Sequence, residues 1–85
     1  MKRWHQITTK AMDALKPPLV ELMGDHRVLI ENHLGIAEYG GCRITVKTHN
    51  GCISVMGDGL QIAVITKERV VITGKISGME LHRGG

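Results

Sequence analysis

RITVKTHNGCISVMGDGLQIAVITKERVVITG, residues 43–74, is the stretch that decides the fold class, because its apolar residues alternate and its interruptions are turn-forming pairs. Ile44 and Val46, Ile53 and Val55, Ile62 and Val64, and Val70 and Ile72 repeat with the period of two expected of half-buried strands. A two-residue turn at Asn50-Gly51 sets Val46 opposite Val55, Thr48 opposite Ile53 and Ile44 opposite Gly57. A second tight turn at Asp58-Gly59 sets Val55 opposite Ile62, Ile53 opposite Val64 and Gly57 opposite Leu60. A three-residue loop, Thr66-Lys67-Glu68, then sets Val64 opposite Val70 and Ile62 opposite Ile72. All three connections bring apolar faces together, whereas a slip of one residue would turn every one of them to solvent.

The same punctuation extends in both directions. Val20 and Leu22 alternate before Gly24-Asp25, Val28 and Ile30 before a turn from Asn32 to Gly35, and Met79 with Leu81 near the end. About seven short strands result. No helix-length segment separates them, so hairpins are favoured over parallel crossovers. The expectation is an all-β domain over residues 17–82, an antiparallel meander curled into a small sandwich or roll, with residues 83–85 as a tail. A stacked β-solenoid would suit the spacing of the apolar pairs, but the tight Asn-Gly and Asp-Gly turns argue against it.

Residues 1–16 follow a different period. Trp4, Ile7, Ala11, Ala14 and Leu15 fall on one helical stripe, with Lys10 and Asp13 off it, and Pro17-Pro18 stops the pattern. This reads as a short amphipathic helix, and three to four turns are marginal alone, so it must dock on its own sheet, a partner or a membrane surface. It also carries the charge. The 85 residues have a formal charge of +3, and residues 1–20 supply all of it through Lys2, Arg3, Lys10 and Lys16 against Asp13. The remainder holds seven basic and seven acidic side chains. A neutral body whose aromatics are limited to Tyr39 lacks both the clustered cations and the stacking platforms that nucleic-acid binding requires, so no nucleic-acid partner is expected. No apolar run is long enough for a signal segment or membrane span, which leads to the expectation of a cytosolic chain with reduced cysteines.

Few residues are spaced for chemistry. Cys42 and Cys52 flank His49, but no Cys-x-x-Cys or His-x-x-x-His spacing is present, and the hairpin register separates the two sulfurs along the strand, with Cys42 on the core-facing side and Cys52 opposite His49. No metal, cofactor or disulfide is expected. Gly57-Asp58-Gly59 precedes a strand rather than a helix, so it reads as a turn and not a phosphate cradle. Glu31-Asn32-His33 places an acid, an amide and a base in a row, yet no nucleophile can be set beside them, and a turn shaped by Asn32, His33 and Gly35 is the simpler reading. No enzyme is expected.

The stretches Pro18-Leu-Val-Glu-Leu-Met-Gly24, Val28-Leu-Ile-Glu-Asn-His-Leu-Gly-Ile36 with Glu38-Tyr39, Thr48-His-Asn-Gly-Cys-Ile53-Ser-Val-Met-Gly57 and Val70-Val-Ile-Thr-Gly-Lys-Ile76 together resemble the YabP/YqfC family of sporulation proteins, the YqfC branch in particular. The Ile-Glu-Asn-His-x-Gly-Ile stretch is the most specific part. The resemblance implies a small non-enzymatic component made in the mother cell during endospore formation, of a kind often encoded beside membrane-bound sporulation proteins, and it carries over no catalytic residue; protein partners are expected, with a membrane-bound sporulation protein as a candidate. It departs from the family in a shorter N-terminal region and in Leu19, where a basic residue often stands. The combined expectation is a structural or assembly component, self-associating through edge strands, at the outer forespore membrane or spore surface. Glu31, Asn32, His33, Gly35 and Tyr39 form the candidate patch, and Trp4, Ile7, Lys10, Ala11 and Leu15 the candidate docking helix. A small-ligand or nucleic-acid binding module is the alternative, and it would require a concave basic or apolar pocket.

Overall fold

The computed structural model describes residues 17–83, so the helix expected over residues 1–16 lies outside the described residues. Six strands form one antiparallel sheet: β1 (Leu19–Met23), β2 (Arg27–Glu31), β3 (Gly35–Tyr39), β4 (Arg43–Thr48), β5 (Gly51–Ile65) and β6 (Arg69–Arg83). Their order is β1-β2-β6-β5-β4-β3. The all-β expectation holds, and the simple meander does not: β3 to β6 follow one another as neighbours, while the β1–β2 hairpin is added on the far side of β6.

Seven expected strands become six for reasons that lie in the bulges. Asp58-Gly59 is not a hairpin turn. Gly59 and Leu60 together stand against Gly74, because the register passes from Asp58↔Lys75 to Gln61↔Thr73, and Gly59 adopts a left-handed φ of 59°. The conformation that made Asp-Gly look like a tight turn is used here to bulge a continuous strand. Val55 consequently faces Met79, and Ile62 faces Ile72 as expected. A further shift between Ile62 and Val64 brings Val64 opposite Val71 instead of Val70. On β6, the shift between Met56 and Gly57 moves the core-facing set from Ile76 to Met79, three residues apart, which breaks the period of two within one strand.

β3 was not expected as a strand, and the reason is the same. Ile36 faces Val46 and Tyr39 faces Ile44, with an irregularity at Ala37 between them, so the two residues set opposite the buried positions of β4 lie three apart. In the β4–β5 hairpin the turn is centred on His49-Asn50, with Thr48 paired to Gly51. Asn50 does not have the positive φ that a type I′ turn demands, and Gly51 takes φ 134°. The Thr48 hydroxyl accepts from the Asn50 N–H at 3.2 Å and donates to the Gly51 carbonyl at 3.1 Å. Val46 therefore faces Ile53, and Ile44 faces Val55. The register differs from expectation by two residues, which preserves the buried face.

Two hydrogen bonds show how the sheet closes on itself. The Asn32 N–H donates to the Glu68 carbonyl at 2.7 Å, and the Leu34 N–H to the Lys47 carbonyl at 2.7 Å. Glu68 lies at the tip of the β5–β6 ribbon, whereas Lys47 pairs with Cys52 near its opposite end. Two residues reach about 7 Å, so the ribbon must fold back until its ends are neighbours. The result is a roll. One half consists of β1, β2, the start of β6 and the end of β5; the other of β3, β4, the start of β5 and the end of β6. Val28, Ile30, Val70 and Ile72 of the first half and Ile44, Val46, Ile53 and Val55 of the second are buried to 1% exposure or less in one cluster, joined by Leu60 and Ile76 at the bend. Each such side chain contributes on the order of 1.5–3 kcal/mol through apolar burial.

Two positions at the bend, Gly57 and Gly74, have no room for a side chain. A Cβ on Gly57 would stand 2.0 Å from the Lys75 carbonyl oxygen, and one on Gly74 would stand 2.7 Å from that of Gly59, with φ 132° at Gly74. Loops seal both margins: Gly57 and Leu60 N–H groups bond the Cys42 and Gly41 carbonyls, and the Ile76 N–H bonds that of Asp25. Gly57→Ala should lower unfolding stability by about 3 kcal/mol, because backbone rather than a movable side chain must give way. Gly41, where an added Cβ meets nothing within 4 Å, provides the control. Chemical denaturation of Gly41→Ala should give a change within about 0.5 kcal/mol of the parent chain.

Candidate functional site

Glu31, Asn32, His33 and Gly35 gather at the corner where the chain leaves β2 in one half of the roll and enters β3 in the other. Asn32 turns the corner with a left-handed φ of 65°, the only positive φ outside glycine among the described residues, and asparagine tolerates that region better than most side chains. Its Nδ2 donates to the Pro17 carbonyl at 3.0 Å, which ties down the start of β1. His33 bridges in the other direction. Its Nδ1 accepts from the Gly35 N–H at 2.9 Å, so Nε2 carries the proton and donates to the Thr66 carbonyl at 2.8 Å. Gly35 itself sits at φ 122°, where a Cβ would meet no atom but an L side chain is strained. Glu31 lies directly opposite Arg69 in the β2–β6 register, and the guanidinium donates to Oε2 from Nε at 3.2 Å and Nη2 at 2.8 Å. Both partners are partly exposed, which limits such a pair to about 1 kcal/mol or less.

The receiving side of this corner was not singled out from sequence. Thr66 Oγ1 accepts from the N–H groups of Glu68 at 3.3 Å and Arg69 at 3.0 Å, organising the loop whose carbonyls are taken by Asn32 and His33. The signal was a threonine opening a three-residue hairpin loop, a local side-chain turn of familiar type. Asn32 ties the corner to Pro17 and Glu31 ties it to Arg69 within the first half, while His33 reaches from Thr66 to Gly35 at the entry to the second, so the geometry is that of a clasp in which His33 links the two halves.

Tyr39 is not part of the clasp. It ends β3 opposite Ile44 and is 62% exposed, at the other end of the strand from Gly35. The cysteines also depart from expectation. Cys42 is exposed rather than core-facing, because β4 begins only at Arg43 and the Gly40 to Cys42 loop passes over the bend. Cys52 pairs with Lys47 and His82, and not with His49. Both thiols are free, and among the described residues no group of three or more metal-ligating side chains occurs. The outer face of the second half carries a polar ladder across β3, β4 and β5. Thr45 and Ser54 hydroxyls bond at 3.0 Å, with Thr45 donating to Glu38 at 3.2 Å and Arg43 reaching Ser54 at 3.5 Å. A groove of about 700 Å³ at the end of the roll, lined in part by Pro17, Val20, Ile53 and Leu81, also went unforeseen.

The YabP family model matches residues 15–85. The chain belongs to the YabP family. The match takes in all six strands and both sides of the clasp, and membership suggests a sporulation-related protein. No curated protein and no solved structure matches this YabP-family chain.

A fold-closing clasp predicts a ranked set of stabilities. Asn32→Ala, which loses the Pro17 bond and places alanine at positive φ, should cost about 1–2 kcal/mol, with Asn32→Gly costing less because the backbone strain is relieved. His33→Ala leaves the Gly35 donor and the Thr66 acceptor without their bridge and should cost about 1 kcal/mol. Urea denaturation of the three variants gives the order directly.

Proposed function

We propose that this YabP-family protein is a non-enzymatic assembly component, acting through protein contacts and self-association in the mother cell during endospore formation, at the membrane surrounding the forespore. The observation that carries the reading is a free strand edge. Among the described residues, 61–65 of β5 pair with β6 on one side only, since β4 reaches no further than Met56. This edge reads Gln-Ile-Ala-Val-Ile, with Val64 42% and Ile65 54% exposed. The other open margins each hold charge: Glu21 on β1, Glu38 on β3, and Glu80 with Arg83 on the end of β6. Charged residues on an edge discourage strand addition, so the uncharged edge is the one suited to pairing with another chain. Antiparallel pairing of this segment with itself is self-complementary, as a two-fold interface requires. The clasp, by contrast, spends its polar groups on the fold, which supports an assembly role over acid–base chemistry.

Light scattering on a concentration series should show the mass rising toward twice that of a single chain. Val64→Lys, which sets a cation on the edge, should hold it at the single-chain mass with an unchanged circular dichroism spectrum. A parent chain that stays at one chain's mass at high concentration contradicts the assembly reading. In sporulating cells, a fluorescent fusion should outline the forespore, and a diffuse mother-cell signal would contradict the proposed location.

A further inference from the structure

The second half of the roll has a core-facing row in which Ile36 of β3, Val46 of β4, Ile53 of β5 and Leu81 of β6 stand in register. Val46 and Ile53 are exposed by 0% and 1%, yet Leu81, on the same face and directly beside Ile53, is 76% exposed. Its exposure does not come from pointing to the solvent side of the sheet. It comes from the opposite layer ending at β1, whose Val20 is only partly buried against the core. The gap between them is the groove of about 700 Å³, bounded by Pro17 and Pro18 on one side and by Thr48, Leu81 and Arg83 on the other.

We propose that residues 1–16 of this same chain fill that groove, laying the stripe of Trp4, Ile7, Ala11 and Leu15 over Leu81, Ile53 and Val20. Three observations single out this occupant. The segment enters at the groove, because Pro17 lines it and is held there by the Asn32 Nδ2 bond at 3.0 Å. At helical spacing, residues 4–16 measure about 20 Å, long enough to cross the end of a small roll. The segment's sequence also carries an apolar stripe, while the groove has an inward-facing leucine that is 76% exposed with nothing over it among the described residues. A tethered segment acts at an effective concentration on the order of millimolar, which favours it over a separate partner of similar chemistry.

Charge sets the orientation. The lining carries His49, His82 and Arg83 and no acidic residue. Lys10 therefore finds no counter-charge in the lining, and, lying off the stripe, it faces water while the stripe meets Leu81, Ile53 and Val20. This assignment makes the basic segment part of the domain and opposes its use as a standing membrane anchor.

Trp4 is the chain's single tryptophan and reports on the docking without a label. In the full chain, acrylamide should quench Trp4 weakly, and equally so on dilution. Leu81→Asp should raise quenching several-fold, to the level seen in denaturant, while Leu81→Met keeps Trp4 shielded. Should Leu81→Asp lose its strand signal by circular dichroism, Ile7→Ser with Leu15→Ser tests the other side of the contact and should expose Trp4 in the same way. Three results would overturn the proposal. Trp4 could be freely quenched in the parent chain. Its protection could vanish on dilution, which would make a second copy the occupant. It could be protected only when phosphatidylglycerol vesicles are added, which would make the segment a membrane contact.

Discussion

The near contact of two backbones at the bend governs everything else in this fold. Gly57 lies against the Lys75 carbonyl and Gly74 against that of Gly59, at separations that exclude any Cβ. Only there can a ribbon of two 15-residue strands turn back sharply without breaking its ladder. A straight ribbon would place the β1–β2 hairpin and the β3–β4 hairpin at opposite ends and on opposite edges, and neither could bury its apolar face. The bend converts one sheet into two facing layers, so that Val28 and Ile30 share a core with Ile44 and Val46.

The clasp is the counterpart of the bend. At the bend, small residues allow close approach; at the other end, polar side chains hold two loops together that would otherwise only abut. Asn32 supplies the left-handed corner, His33 spans from Gly35 to Thr66, and Glu31 meets Arg69 across the strands. An acid, an amide and a histidine in succession suggest chemistry, but here Asn32 is bonded to the residues that lead into β1, and His33 and Glu31 to the β5–β6 loop and the residue that follows it. The residues most specific to the family resemblance are thus explained by closure of the roll, and the proposed contact with other molecules falls on the uncharged β5 edge.

Much of the sheet was legible because alternation is read locally. Ile44 with Val46, Ile53 with Val55, and Val70 with Ile72 are buried where their periodicity placed them, and Ile62 faces Ile72 through the anticipated three-residue loop. The errors occur where a bulge changes the parity. β3 was missed because Ile36 and Tyr39 are three apart, and β6 was divided because Ile76 and Met79 are three apart. The clasp was legible as a turn but not as a bridge, since Thr66 is 33 residues from His33.

Sequence alone determined that this chain makes antiparallel strands with one buried face, because side-chain alternation and glycine-marked breaks depend only on neighbours along the chain. It also separated a neutral body from a basic, amphipathic first segment. Whether Asp58-Gly59 ends a strand or bends it was settled by the tertiary structure. A glycine in left-handed conformation serves a turn and a bulge equally well, and the choice is made by what lies across from it, here Gly74. The pairing of β2 with β6 was decided in the same way, by burial of a face that no local pattern could assign to a partner.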